Sequence, residues 1–207
     1  SIPSLLPEKK KKLNVKHIQR VDCFIIQEEP KRRGAMSGNT NVKASKVTNT
    51  YVLVEFGLEM LHAMMKKKRF EAAFLDPLIP LLLDSLRSPF IRVNTFAVRC
   101  LSIMWHHKLE LESLKLNADA ISSEVFGILH KYATTEISRK DNHYLLVKSC
   151  FKCVLALVRN VEYYTLNSNQ LKALLLYIEQ DLLTANDKDT ISFVLLKAIL
   201  DRKLIVP

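Results

Sequence analysis

The sequence predicts an all-α protein whose helices form antiparallel pairs stacked in one line. Apolar residues recur with the 3.6-residue period of a helix along most of residues 51–207. The same range contains only two glycines, Gly57 and Gly127. Tight β-hairpin turns and phosphate-binding loops depend on residues that adopt positive φ without strain, and glycine is the main residue of that kind. The composition therefore argues against a β-sandwich, a P-loop enzyme and a Rossmann domain.

The first 48 residues differ from the rest of the chain. Residues 1–50 hold 11 Lys/Arg and 4 Asp/Glu, a net charge of +7 out of +10 for all 207 residues. They are rich in Lys, Pro, Ser and Thr, a composition that does not form a hydrophobic core. We expect a basic, mostly irregular tail or linker at 1–48 and the helical segment at 49–207. Within the tail, VDCFIIQ (residues 21–27) is apolar enough to dock as an extended peptide.

The first three predicted helices have clear sequence signals. In YVLVEFGLEMLHAMMKKK one face carries Val54, Leu58, Leu61 and Met65. The next helix, in DPLIPLLLDSLR, begins with Asp76 as N-cap and Pro77 at the first helical position. The third, in SPFIRVNTFAVRCLSIMW, repeats apolar residues at steps of three and one: Val93, Phe96, Ala97, Cys100, Leu101 and Met104.

Four more helices are predicted toward the C-terminus. One spans about 119–132, and HYLLVKSCFKCVLALVR is apolar nearly all round, which predicts burial on several sides. SNQLKALLLYIEQDLL and DTISFVLLKAIL each carry one apolar stripe. The first helix lacks a pair partner and KLIVP at the end is apolar, so we expect a stack that is open at both ends.

The second and third helices have the layout of a HEAT unit. An apolar helix with an acidic residue near its end is followed by a short turn and a helix that opens with a β-branched residue and Arg. Val147 and Lys148 take the places of Ile91 and Arg92 at an offset of 56 residues. HEAT units repeat at roughly 40–47 residues, so an inserted loop at 133–141 would explain the longer offset. The prediction is a segment of a longer α-solenoid, with about three HEAT/armadillo-like pairs and one preceding helix.

Arg92 and Arg99 lie two helical turns apart on one flank of the third helix. Asp84, near the end of the preceding helix, is the nearest acidic candidate for an ion pair with Arg92 that would set the stacking register. For Arg99, an architectural role and contact with RNA both remain open.

Three basic runs are candidates for contact with RNA or an acidic partner. The two tail runs can follow a phosphate backbone and release counterions, although EEPKRRG is also typical of a nuclear-import signal and a solubilising role stays open. The third run ends the first helix, where cations also interact favourably with the helix dipole. The candidate residues are Lys9, Lys10, Lys11, Lys12, Lys31, Arg32, Arg33, Lys66, Lys67, Lys68, Arg69 and Arg99.

No catalytic, metal-binding or cofactor-binding residues are predicted. Cys150 and Cys153 form a C-x-x-C motif inside a helix, without the preceding strand of a redox motif or the second pair of a zinc site. We therefore interpret both cysteines as core residues. His106 and His107 are adjacent on a helix and point about 100° apart, which does not suit chelation of one metal. No apolar run approaches the length of a membrane span.

Four blocks resemble the DRIM family (down-regulated in metastasis): VLVEFGLEMLH (52–62), RCLSIMW (99–105), SCFKCVLALVRNVEYYTL (149–166) and LLKAILDRKLIVP (195–207). In the tail only EPKRRG is similar. The family consists of very large HEAT-repeat proteins of the small-subunit processome. The resemblance implies a nucleolar, non-catalytic scaffold in small-subunit rRNA processing and ribosome biogenesis, with pre-ribosomal RNA and assembly proteins as partners and no small-molecule substrate. The alternative is a HEAT-repeat adaptor of the transport or kinase-regulatory type that binds protein and carries a nuclear-import tail.

Overall fold

The computed structural model describes residues 41–133, 142–184 and 191–204, which contain eight α-helices, two short 3₁₀ turns and no strand. The all-α prediction is confirmed. Each of the seven predicted helices has a counterpart, and the short helix α4 is additional. The helices are α1 (Asn41–Lys66), α2 (Ile79–Leu86), α3 (Ile91–His106), α4 (Glu112–Leu116), α5 (Ala118–Tyr132), α6 (Asn142–Asn160), α7 (Ser168–Thr184) and α8 (Ile191–Asp201).

Helix α1 begins at Asn41, within the range that the sequence assigned to the tail. No proline or glycine lies between Asn41 and Tyr51, so nothing in this stretch stops the helix from extending toward its N-terminus. The remaining predicted tail, including VDCFIIQ, lies outside the described residues.

Helices α1, α3, α6 and α8 pack side by side in that order, and we call them the row helices. Along α1 and α3 the contacts keep the same order. Tyr51 stacks on Phe90 with ring centroids 4.0 Å apart, and further along the Cys100 thiol lies 3.6 Å from the Leu58 carbonyl oxygen. The two helices therefore run in the same direction. Outside the row, α2 packs on α3, α5 on α6 and α7 on α8, and α2 also contacts α5.

Helix α6 is buried on several sides, as its nearly continuous apolar sequence predicts. It packs against α3, α5 and α8 and buries nine of its residues. On α3 the buried side includes Leu101, Met104 and Trp105, and the Trp105 indole donates a hydrogen bond of 3.2 Å to the Tyr163 hydroxyl. Because α3 and α6 share the most extensive contact between helices, the core lies chiefly between them.

The connection between α2 and α3 is closed by one buried amide. Asn94 is 5% exposed, and its Nδ2 donates to the carbonyl oxygens of Ser85, Leu86 and Ser88 at 3.0, 2.8 and 3.0 Å. These carbonyls belong to the end of α2 and the turn after it, where no intrahelical donor remains. Asn94 therefore caps the preceding helix and holds the end of α2 against the start of α3.

The predicted N-cap role of Asp76 for its own helix is wrong. Asp76 begins a 3₁₀ turn (Asp76–Leu78), and α2 starts only at Ile79. The Asp76 carboxylate instead accepts hydrogen bonds from the backbone N–H and the hydroxyl of Ser113, at 2.9 and 3.0 Å. Ser113 lies in the first turn of α4, so Asp76 caps that helix across a tertiary contact. Among the described helices, none has the length and apolar character needed to cross a membrane.

Candidate nucleic-acid interface

A groove of about 610 Å³ runs along the flank of α3 between α1 and α6. All three helices contribute side chains to it at helical spacing, so each presents one continuous edge. The lining residues are His62 and Lys66 of α1, Arg99, Ser102, Ile103 and His106 of α3, His107 just after α3, and Leu145, Lys148, Ser149 and Lys152 of α6.

The groove carries charge of one sign. Four Lys/Arg side chains and three histidines line it, and no Asp or Glu does. A concave surface lined with cations concentrates anions, and low-dielectric walls strengthen the effect. Ile103 and Leu145 supply apolar contact between the charged groups. The chemistry of this groove suits a chain of phosphate groups better than a neutral small molecule.

Arg99 lines the groove from α3 and forms no ion pair with a described carboxylate. It is half-buried, and its Nε donates to the Ser149 hydroxyl at 3.2 Å while its guanidinium carbon lies 5.4 Å from the centre of the Phe96 ring. It makes no ion pair with any acidic residue that the structure describes. Burial lowers the pKa of Arg99, which Glu59 partly offsets from a distance. A half-buried cation that lacks a counter-charge is a favourable site for an external anion.

Arg92 has a different partner from the one predicted. Its Nε donates to the Glu55 carboxylate of α1, and Asp84 instead lies 3.7 Å from Arg87. The Asp84–Arg92 ion pair is therefore a wrong prediction. Arg92 points from α3 toward the neighbouring row helix, whereas Asp84 stays at the end of α2 beside Arg87. Arg87 also binds Glu124 of α5 at 2.6 Å, so the acidic residue of α2 serves a contact on the opposite side of the fold.

Two of the three groove histidines have a lowered pKa. For His62 the main cause is burial, followed by the positive charges of Arg99 and Lys66, with Glu59 acting in the opposite direction. For His107 the causes are burial, then Lys68 and His106. An anion in the groove would reverse these electrostatic effects and favour the protonated rings.

A smaller cleft continues the groove toward the start of α3. It is lined by Arg92, Thr95, Phe96, Arg99, Asn142 and Leu145, and it shares Arg99 and Leu145 with the groove. From Arg92 to His106 the edge of α3 rises by roughly 21 Å at 1.5 Å per residue. The combined surface is an elongated trough, a shape suited to a polymer.

The structure brings together only some of the predicted contact residues. Lys66 and Arg99 line the groove. Lys67, Lys68 and Arg69 are exposed just beyond the end of α1 but do not line it. Lys9, Lys10, Lys11, Lys12, Lys31, Arg32 and Arg33 lie outside the described residues.

Nine of the eleven lining residues were not predicted as contacts from the sequence, and five of the nine have ionisable side chains. Lys148 and Lys152 are one helical turn apart on α6, a weaker version of the spacing that drew attention to Arg92 and Arg99. His106 and His107 were considered only as metal ligands, and His62 was not predicted as a contact. Tracing the basic edge of each apolar helix, rather than basic runs, would have found the lysines.

Cys150 and Cys153 lie on the opposite side of α6, in the core. Both are 0% exposed and free, and burial raises the pKa of each thiol well above its ordinary value. Nowhere in residues 41–133, 142–184 and 191–204 do three His, Cys, Asp or Glu side chains group as metal ligands. The interpretation of the C-x-x-C as core packing agrees with this placement. No protein-family model matches the sequence.

Proposed function

We propose that this chain is part of a non-catalytic scaffold of the small-subunit processome, which acts in pre-rRNA processing and ribosome biogenesis in the nucleolus. The observation that carries the proposal is the groove between α1, α3 and α6, where four Lys/Arg and no Asp or Glu line a long concave surface. Such a surface holds RNA by its phosphates, without reading sequence, because each neutralised phosphate releases counterions. The resemblance to the DRIM family supplies the biological setting.

The α-solenoid belongs to the same proposal. Support comes from the row α1–α3–α6–α8 and from the packing of α2 on α3, α5 on α6 and α7 on α8, which is the neighbour pattern of stacked helical pairs. A solenoid leaves long edges of its row helices free for contacts, and the groove occupies such an edge. The basic tail would add phosphate contacts or direct nuclear import.

The decisive experiment compares two four-residue variants in RNA binding. Lys66, Arg99, Lys148 and Lys152 changed together to Gln should weaken binding of an unstructured 20-nucleotide RNA about 100-fold at 0.1 M salt and reduce the salt slope by about 3. The matched control removes the same charge from exposed positions that do not line the groove, namely Lys131, Arg159, Lys172 and Lys197. Fluorescence anisotropy at several salt concentrations gives both quantities, and circular dichroism confirms equal helix content.

Equal losses in the two variants would show that only net charge matters and would refute the groove as the RNA site. The role in ribosome biogenesis is tested separately. The protein is cross-linked to RNA in cells and the attached RNA is sequenced, and we expect pre-ribosomal RNA to be recovered. Recovery of protein partners without RNA would favour the adaptor alternative, in which the same cations bind an acidic protein segment.

A further inference from the structure

Helix α1 is apolar on two opposite faces. One face, with Val54, Leu58, Leu61 and Met65, packs into the core. The other carries five large apolar side chains that are each at least 45% exposed: Val52, Leu53, Phe56, Met60 and Met64. At 100° per residue the centres of the two faces are roughly 140° apart. We call the exposed set the outer stripe.

The position of the outer stripe in the row indicates what kind of structure covers it. Helix α3 lies between α1 and α6, and α6 lies between α3 and α8, so each has a row neighbour on both sides. Among the described residues α1 has a row neighbour only on the α3 side. A helix with two apolar faces is typical of one that packs between two neighbours. The stripe therefore continues the series of helix-to-helix interfaces already present.

The charges beside the stripe restrict the partner further. Lys67 follows Met60 and Met64 on the line of the stripe, and the exposed Lys68 and Arg69 come directly after it. Lys66 turns away into the groove. An apolar surface that ends in three exposed cations is complementary to an amphipathic segment with carboxylates at the matching end.

We propose that the outer stripe is the docking surface for an amphipathic α-helix of a partner protein. This helix lies along α1 as α3 does on the other side, and its acidic residues face Lys67, Lys68 and Arg69. A second copy of the chain is the poorer occupant, because an antiparallel pair centred on Met60 places Lys67 against the apolar start of the other stripe. RNA bases can stack on Phe56, but RNA has no aliphatic surface to cover Leu53 and Met60.

Two synthetic peptides test the proposal on the complete 207-residue chain. The probe is an 18-residue helix-forming peptide with a leucine stripe and three glutamates at its C-terminal end, and the control has the same composition in scrambled order. The probe should bind and the scrambled peptide should not. The double variant Phe56→Gln/Met60→Gln should bind the probe at least about tenfold more weakly, because two central apolar contacts are lost. The control Leu116→Gln/Leu200→Gln alters two other exposed leucines and should bind as the parent does.

Charge reversal tests the orientation. Lys67→Glu/Lys68→Glu should lower affinity for the probe and raise affinity for a peptide with lysines in place of the glutamates. Equal binding of the probe and the scrambled peptide would overturn the proposal, as would dimerisation of the chain that Phe56→Gln/Met60→Gln abolishes. The groove variant, with Gln at positions 66, 99, 148 and 152, should bind the probe peptide as strongly as the unmutated chain. The docking proposal can therefore be refuted while the proposal of RNA binding stands, and the reverse also holds.

Discussion

The arginines of the fold have two kinds of environment. On the side of α2 and α5, Arg87 pairs with Glu124 at 2.6 Å and lies 3.7 Å from Asp84. Arg92 of α3 likewise pairs with Glu55 of α1. Arg99, two turns further along α3, forms no ion pair with a described residue and has the Ser149 hydroxyl and the Phe96 ring as its contacts. The cations that join two helices, Arg87 and Arg92, form ion pairs with carboxylates. The four Lys/Arg side chains that line the groove form no ion pair with a described residue. The contrast separates architectural cations from those available to an external anion.

The comparison depends on the Asn94 hydrogen bonds that hold the end of α2 against α3. Asn94→Leu should remove these hydrogen bonds. The leucine leaves the carbonyls of Ser85, Leu86 and Ser88 without their buried donor, so the free energy of unfolding should fall by about 3 kcal/mol. Urea denaturation measures this loss. Asn94→Asp is the informative companion, because a carboxylate has the right shape but cannot donate; stability equal to that of the parent in this variant would contradict the capping role.

Within α6 the two sides can be compared at adjacent residues. Cys150→Ala/Cys153→Ala removes two sulfurs from the core and should lower the free energy of unfolding by about 2 kcal/mol. Lys152→Ala, between them in sequence but facing the groove, should change stability by less than about 0.5 kcal/mol. Thermal and urea unfolding provide the numbers. Stoichiometric zinc in the purified parent would contradict the interpretation of the cysteines as core residues.

The arginines themselves give the most direct test of the comparison. Arg99→Met should raise the free energy of unfolding by up to about 1 kcal/mol, because it removes a half-buried cation that forms no ion pair with a described carboxylate, while it weakens RNA binding. Arg87→Met should lower stability by about 0.5 kcal/mol and leave RNA binding unchanged. Denaturant melts and anisotropy titrations on the same samples measure both. If the two variants behave alike, the distinction between paired and unpaired arginines is wrong.

The groove histidines predict opposite effects of pH on stability and on RNA affinity. His62 and His107 have folded-state pKa values below the ordinary 6.5. The unfolded chain therefore takes up protons first, and stability should decline by a few tenths of a kcal/mol as pH falls from 7.5 through 6.5. Bound phosphate favours the protonated rings, so RNA affinity should rise by up to about tenfold over the same range. His62→Gln/His107→Gln should flatten both profiles.

Sequence alone determined the fold class and the positions of the longer helices. The 3.6-residue stripes and the scarcity of glycine are local properties, and helix formation follows them wherever an apolar face finds something to cover it. Burial of Cys150 and Cys153 could be predicted for the same reason, since the apolar residues around them occupy nearly every face of α6. The basic character of the α3 flank was also visible, from the spacing of Arg92 and Arg99.

Only the tertiary structure decided which residues meet. Arg92 forms an ion pair with Glu55, and Asp76 caps α4 through hydrogen bonds from Ser113. In each pair the two residues are 37 positions apart in the sequence. Both pairings depend on the register between packed helices. The groove arises in the same way, because helical phase places Lys66, Arg99 and Lys148 on three separate edges and only the side-by-side packing of α1, α3 and α6 turns those edges toward one another. The periodicity of a segment determines which residues share a face of its helix. Which other helix covers that face depends on contacts between residues far apart in sequence, and no local pattern predicts them.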